Sequence, residues 1–194
     1  MPRISGDSLQ EHREQLQRRV FTAFAELMAE RSFDAVTMAA IAERADLGRT
    51  AIYHHFPDKE SIVVAFASHE TAEYVDRLHD ALSGAAVPEE RLRVYVRHHL
   101  AAGEQFHMGL GPQLYGFLGP DSRQAIREHV VAVEDVLRAI LDAGVRDGSF
   151  AIEDLPGTMS LIHACLSPRH LPARTIETFV LRAVGAAGSG QSVT

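Results

Sequence analysis

The segment over residues 37–60, TMAAIAERADLGRTAIYHHFPDKE, restricts the fold most strongly, because it contains two short helical patterns on either side of one tight turn. Thr37 can cap the first helix, whose buried face is indicated by four apolar residues at helical spacing, Met38, Ile41, Ala42 and Ala45. Leu47 and Gly48 interrupt this pattern, and Gly48 permits the backbone angles that a corner needs. The segment therefore predicts a helix-turn-helix.

The second helix of this pair is predicted from Arg49 to about Phe56. Ile52 and Phe56 are four residues apart and turn inward together. The outward face then holds hydrogen-bond donors and flat rings, namely Arg49, Thr50, Tyr53 and either His54 or His55. Such side chains suit phosphates and base edges in a DNA major groove, which is wide enough to admit one helix.

The residues that follow this helix strengthen the interpretation. A Tyr, two polar or aromatic residues, a Phe and then Lys-Glu resemble the DNA-binding half of the tetracycline-repressor (TetR) family, and here they are Tyr53, His54, His55, Phe56, Lys59 and Glu60. The resemblance covers about residues 12–66, and the rest of the chain is similar in length and helical character. Two positions depart from the family pattern, since Asp46 stands where Gly is common and Gly48 stands where Ser or Thr is common.

The resemblance implies a set of DNA-binding residues. Thr37 and Lys59 would hold phosphates from opposite sides, and Tyr53 would pack on the DNA backbone. Base edges would face Arg49, Thr50 and His54, with His55 beside them. The alternative is that residues 37–56 are merely two helices of an all-α core. A generic helix pair has no reason to gather so many polar groups on one short helix, so we favour the DNA-binding interpretation.

The fold class predicted from these patterns and the resemblance is all-α, with about nine helices. A three-helix head with the helix-turn-helix would occupy residues 1–57. A helical ligand-binding and dimerisation domain would occupy residues 58–194. Its first helix would run from Asp58 to about Ser83 and, as the resemblance implies, would join the head to the body.

Net charge narrows the class of nucleic-acid binder. The chain carries a formal charge of −7, and its first sixty residues hold more acidic than basic side chains. This excludes proteins that coat DNA through a broad basic face and favours a sequence-specific binder with few contacts. The single cysteine, Cys165, gives no disulfide framework, and no signal peptide or long apolar run is present, so we expect a cytoplasmic protein without a membrane partner.

Residues 107–120, HMGLGPQLYGFLGP, are too rich in Gly and Pro for a long helix. The segment could line a cavity or could be an ordinary loop tucked into the core, and both interpretations stay open. In the first case, we expect a mostly hydrophobic small-molecule effector with one or two polar atoms. The candidate ligand-binding residues are His99, His107, Met108, Leu114, Tyr115, Phe117 and His163.

The end of the chain carries an apolar stripe that suits a second copy of the chain. The resemblance implies that the last two long helices form the four-helix bundle of a homodimer. Two heads would then lie about 34 Å apart, as reading a palindromic operator requires. The candidate dimerisation residues are Leu161, Ile176, Phe179, Val180, Ala183 and Val184.

Other chemistry has weaker support. No pair among the scattered histidines, Glu104 and Cys165 has a strong metal-ligand spacing, and no catalytic motif is present, so we predict no metal, no cofactor and no enzyme. The predicted function is a ligand-responsive repressor that a small hydrophobic effector releases from DNA. Two alternatives remain, a metal-responsive regulator of the same fold and a helical small-molecule carrier that keeps the head as scaffold.

Overall fold

The computed structural model describes residues 6–102, 116–166 and 171–186, and side-chain burial from residue 10 onward. Within these ranges the chain forms eight α-helices and one 3-10 turn, with no strand, which confirms the all-α prediction. The elements are α1 (Gly6–Glu30), the 3-10 turn (Phe33–Ala35), α2 (Met38–Arg44), α3 (Arg49–His55), α4 (Lys59–Leu82), α5 (Pro88–Ala102), α6 (Pro120–Asp147), α7 (Leu155–Leu166) and α8 (Ala173–Ala183).

The described chain forms two compact units. The head unit contains residues 6–69 and 116–126, and the body unit contains residues 70–102, 127–166 and 171–186. Helices α4 and α6 each contribute residues to both units. The predicted boundary between residues 57 and 58 separates a DNA-binding part from a ligand-binding and dimerisation part. This is a division by function, which the compact units do not test, so it stays a prediction.

The core of the head unit fixes α3 from behind. Ile52 and Phe56 are buried, as their spacing predicts, and they join a cluster with the inward face of α1. That face consists of Leu16, Val20, Phe21, Phe24 and Leu27. Burying each large apolar side chain contributes about 1.5–3 kcal/mol. Helix α3 spans only seven residues and would not persist alone, so this packing holds it in place.

The body unit has its own core, which is built from α4 to α8. Helix α5 packs against α8, and α8 also contacts α7. Two tyrosines, Tyr74 and Tyr95, are completely buried among aliphatic side chains. At the end of α6, Gly144 lies against Phe150, where a Cβ atom would come within 2.1 Å of the ring, so only glycine fits there. None of the helices in the described ranges combines the length and the apolar character that a bilayer crossing requires.

Candidate functional site

The turn of the helix-turn-helix is a Schellman motif. The amide of Leu47 donates to the carbonyl of Ala42 at 2.8 Å, and the amide of Asp46 donates to Glu43 at 3.1 Å. Asp46 itself has φ 51°, the left-handed conformation that glycine adopts most easily. The turn that the family usually builds with Gly therefore forms here with Asp.

Arg19 on α1 holds this turn in place. Its Nε donates to the carbonyl of Ala45 at 3.0 Å, and its Nη2 donates to the carbonyl of Asp46 at 2.5 Å and to Asp46 Oδ2 at 3.1 Å. These charge-assisted bonds satisfy carbonyls that the end of α2 leaves free. Arg19 is not predictable from the sequence, because no local pattern connects it to a residue 27 positions later.

The two short helices differ in how they begin. Thr37 caps α2 as predicted, since its Oγ1 accepts a hydrogen bond from the amide of Ala40 at 3.1 Å. Gly48 occupies the corresponding position before α3 and supplies no side chain for this purpose. Its backbone has φ −64° and ψ 145°, and no heavy atom lies within 4 Å of where a Cβ would stand.

We expect Gly48→Ser to raise the free energy of unfolding by about 0.5–1 kcal/mol, because a serine would cap α3 and would restrict the unfolded chain. The measurement is urea denaturation of the full chain at unchanged m value. Gly148→Ser is the matched control. It has equal open space, but its φ of 80° strains any side chain, so this variant should be less stable. A loss of stability in Gly48→Ser would contradict the capping argument.

Four residues that the sequence places on the outward face of α3 are exposed to solvent in the structure. Arg49, Thr50, Tyr53 and His54 are all exposed, and Tyr53 keeps 49% of its surface accessible. Within the described part of the chain, Arg49 has no hydrogen-bond or ion-pair partner, so its guanidinium is available to another molecule.

His55 is less accessible than its neighbour. It is half-buried, and burial is the main cause that lowers its pKa, with further contributions from His54, Arg13 and His12. Its ring lies edge-on to the ring of His54, with 5.3 Å between centroids. Of the two histidines that the sequence left open, His54 is therefore the outward one.

Lys59 has an intramolecular role that the sequence did not reveal. Its Nζ donates to the carbonyls of Phe33 at 2.6 Å and Val36 at 2.8 Å, and it lies 4.0 Å above the Phe33 ring centroid. Burial lowers the pKa of Lys59, while Asp34 partly opposes this shift. Two of its three protons stabilise the segment before α2, and one is left for the predicted phosphate contact, which stays a proposal.

Glu60 was noted only as part of the family pattern, yet it ties the start of α4 to the start of α6. Its Oε2 accepts hydrogen bonds from the amide of Gly119 and from Oγ of Ser122, both at 2.9 Å. A carboxylate at a helix N-terminus is favourable because it faces the positive end of the helix dipole. The contact joins residues 59 positions apart within the head unit, which sequence patterns do not show.

Two of the predicted ligand-binding residues, His99 and His163, lie close together in the body unit. Their ring centroids are 6.5 Å apart. The hydroxyl of Tyr74 is 3.1 Å from Nδ1 of His99, and the hydroxyl of Tyr95 is 3.2 Å from Nε2 of His163. The sequence predicts the two histidines as ligand-binding residues but not the two tyrosines. We call these four residues the tyrosine–histidine cluster.

Burial determines the charge state of the tyrosine–histidine cluster. It raises the pKa of Tyr74 and of Tyr95 far above the ordinary tyrosine value. It also lowers the pKa of His163, although the carboxylate of Glu134 opposes that shift. Burial therefore favours the neutral forms of Tyr74, Tyr95 and His163, which offer hydrogen bonds rather than charge.

His98 adds an unusual polar atom beside this cluster. Its ring centroid is 4.9 Å from that of Tyr74, and its Nε2 is buried without a hydrogen-bond partner among the described residues. Burial lowers the pKa of His98, the nearby Arg77 adds to the shift, and a hydrogen bond with the Tyr74 backbone opposes it. A buried polar atom that makes no hydrogen bond costs about 1–3 kcal/mol.

The buried histidines lead to a pH prediction. The pKa of His163 is lower in the folded than in the unfolded chain, so the unfolded chain binds more protons between that lowered value and about 6.5. The free energy of unfolding should therefore fall as the pH drops below about 6.5, and His163→Gln should make this fall shallower. Urea denaturation at pH 7.5 and pH 5 measures the difference. His79→Gln, at an exposed site on α4, is the control, and an unchanged pH slope in His163→Gln would contradict the assignment.

The other predicted ligand-binding residues lie outside the described residues or belong to the head unit. His107, Met108, Leu114 and Tyr115 lie outside the described residues. Phe117 is 56% exposed and belongs to the head unit, where its ring centroid is 6.1 Å from that of Phe33. Its predicted role in ligand binding stays a prediction.

The predicted dimerisation residues separate into two groups. Ile176, Val180 and Val184 are buried in the core of their own chain and are not available to a partner. Leu161, Phe179 and Ala183 are exposed. The apolar stripe on α8 therefore packs largely against other helices of the same chain. The proposed partner surface is reduced to Leu161, Phe179 and Ala183.

The candidate metal ligands gain no support as a group. Among the described residues, His98, His99, His163 and Cys165 do not bring three ligand atoms together. Glu104, His107 and His170 lie outside those residues. The metal-responsive alternative therefore has no ligand set from these side chains in the described chain.

Two protein-family models match this chain. The model for bacterial regulatory proteins of the tetR family matches residues 21–66. The model for the tetracyclin repressor-like C-terminal domain matches residues 88–179. Together the two models cover the helix-turn-helix and most of the body.

Individual proteins give the same result. The fatty acid metabolism regulator protein of Bacillus subtilis (strain 168) is 24% identical over 133 residues, which are 67% of this chain and 68% of that protein. An HTH-type transcriptional repressor of Mycobacterium tuberculosis is 30% identical over 106 residues, 55% of this chain and 50% of that protein. The crystal structure of the regulator FadR from Bacillus subtilis in complex with stearoyl-CoA has a TM-score of 0.68 at 21% identity and covers 85% of this chain and 87% of that chain.

Proposed function

Because the chain belongs to the tetR family of bacterial regulatory proteins, we propose that this transcriptional regulator is a homodimeric repressor that leaves a palindromic operator when it binds an effector. The observation that carries the DNA-binding part is the arrangement of α3. Ile52 and Phe56 anchor this helix in the head core, while Arg49, Thr50 and Tyr53 stay exposed. A helix held in this way offers its polar side to one major groove.

The charge of the protein supports specific rather than general binding. With a net charge of −7, non-specific attraction to phosphates is weak, so affinity depends on a few well-placed groups. Arg49 is the exposed cation of α3. Phosphate contacts set the register of α3, and base contacts set the sequence preference. Affinity should still decrease with salt, because each phosphate contact releases counterions.

The test is a gel-shift titration of the full chain with DNA that flanks its own gene. We expect a saturable complex that a random duplex of the same length does not displace at equal concentration. Equal affinity for both duplexes would contradict a sequence-specific regulator. A chain that binds neither duplex would favour the helical carrier, in which the head is only scaffold.

For the effector, we propose a long-chain acyl thioester of coenzyme A. The Bacillus subtilis relative is named for fatty acid metabolism, and the similar solved structure holds stearoyl-CoA. In this chain, the tyrosine–histidine cluster supplies hydrogen-bonding groups inside a largely apolar body core, which suits a hydrophobic ligand with a few polar atoms. The effector must bind the DNA-free conformation more tightly than the DNA-binding conformation. A ligand with equal affinity for the two conformations would not shift the equilibrium between them.

A second titration tests the effector. Palmitoyl-CoA added to the preformed complex with flanking DNA should release the duplex, and coenzyme A without an acyl chain should release less. The same titration with acetyl-CoA is the matched control, because it keeps the head group and removes most of the apolar chain. Release that does not depend on chain length would refute an acyl-chain effector.

A further inference from the structure

The body unit contains a cavity whose chemistry differs from that of the tyrosine–histidine cluster. It has a volume of about 560 Å³ and lies where α5 packs against α8. Three of its lining residues are arginines. The lining consists of Arg93, Arg97, Ala173, Arg174, Glu177 and Thr178. Its volume lies in the usual range of small-molecule sites, about 300–1,000 Å³.

Glu177 fixes two of these arginines. Arg97 donates from Nε to Oε2 of Glu177 at 2.7 Å and from Nη2 to Oε1 at 3.1 Å, and Arg93 donates from Nη1 to Oε1 at 3.0 Å. The Glu177 side chain is only 6% exposed. Burial raises the pKa of Glu177, but the hydrogen bonds from Arg97 and Arg93 outweigh burial and hold the pKa below its ordinary value. The carboxylate is therefore ionised and keeps both guanidiniums in place.

The arginines retain donors after Glu177 is satisfied. Nη1 of Arg97, together with Nε and Nη2 of Arg93, makes no hydrogen bond to the described part of the chain. The guanidinium of Arg174 has no hydrogen-bond or ion-pair partner among these residues. The lining thus holds three guanidiniums and one carboxylate, and two positive charges remain uncompensated in a concave site.

The backbone adds to this excess of positive charge. Helix α8 begins at Ala173 in the wall of the cavity, and no side chain caps its first turn. Free amide groups and the positive end of the helix dipole favour an anion at that position. Two excess charges with forked donors fit a phosphate or pyrophosphate group better than a single carboxylate.

We propose that this cavity binds the phosphate groups of a coenzyme A thioester, with Arg174 as a direct contact beside Arg93 and Arg97. The inference rests on the proposed effector class and names the part of the chain that would recognise its head group. A cluster that served only to neutralise Glu177 would not need Arg174, which does not touch that carboxylate in the described structure.

The experiment is isothermal titration of the full chain with free coenzyme A, inorganic pyrophosphate and palmitate. Arg174→Gln should weaken coenzyme A binding about tenfold to a hundredfold, since a hydrogen bond to a charged group is lost. Palmitate, which has no phosphate, should bind both proteins equally. Arg182→Gln is the matched control, because Arg182 is exposed on the same helix and does not line the cavity.

The possible results separate this inference from the proposed function. Equal affinity of coenzyme A for the wild type and for Arg174→Gln would overturn the phosphate site. This holds even if palmitoyl-CoA releases the operator. Coenzyme A binding that needs Arg174 supports the site, even if no thioester releases DNA and the effector proposal fails.

Two further results identify another occupant. If pyrophosphate binds and needs Arg174 while coenzyme A does not bind, the coenzyme assignment is overturned. That result would indicate a free phosphate compound as the ligand. A change of mass in light scattering on Arg174→Gln, without binding of any probe to the wild type, would overturn the site and show a contact between copies of the chain.

Discussion

Arg49→Ala is expected to lower affinity for the operator about tenfold to a hundredfold and to leave affinity for random DNA nearly unchanged. Arg49 is exposed at the start of α3 and has no intramolecular partner in the described residues, so its removal leaves the head intact. A bidentate contact from arginine to a base contributes about 1–3 kcal/mol of discrimination. Fluorescence anisotropy with labelled operator and random duplexes measures both affinities.

Lys59→Ala gives the contrasting result. A lost phosphate contact should weaken binding to both duplexes by the same factor and reduce the salt dependence. Because Lys59 also donates to the carbonyls of Phe33 and Val36, this variant should in addition be less stable. Arg146→Ala in the body unit controls for the loss of one positive charge. Equal losses on operator and random DNA for Arg49→Ala would refute its assignment to bases.

Local patterns explain why the head could be predicted in detail. The spacing of Ile52 and Phe56 and the Thr37 cap each depend on neighbours within one or two helical turns. Both features are present in the structure. The residues that lock the head together are of another kind. Arg19 reaches Asp46, Lys59 reaches Phe33, and both pairs are separated by more than twenty residues.

The body was predicted less well for a physical reason. Helical periodicity shows which face of α8 is apolar, but it does not show what covers that face. Ile176 and Val180 pack into their own chain, and only exposure in the folded structure distinguishes them from Phe179. In the same way, His99 and His163 could be chosen as polar residues on apolar helices, while Tyr74 and Tyr95 are identified only by the contacts they make.

Exposed apolar side chains on two contacting helices now define the proposed partner surface. Leu161 on α7 is 69% exposed and Phe179 on α8 is 59% exposed, although both are large and apolar. Such side chains on contacting helices are typical of a surface that a partner covers. A second copy of the chain is the partner that a palindromic operator requires, because each head reads one half-site.

Phe179→Glu is therefore expected to give monomers and to weaken operator binding about a hundredfold or more. Binding of the second head is intramolecular in a dimer, and this linkage multiplies affinity by about 10²–10⁴. Phe179 is exposed in the single chain, so circular dichroism should show an unchanged fold. Val87→Glu, at an exposed apolar residue between α4 and α5, is the control that should stay dimeric. A dimer mass for Phe179→Glu in light scattering would remove this surface from the proposed interface, and a monomer that still binds the operator tightly would show that reading one half-site is sufficient.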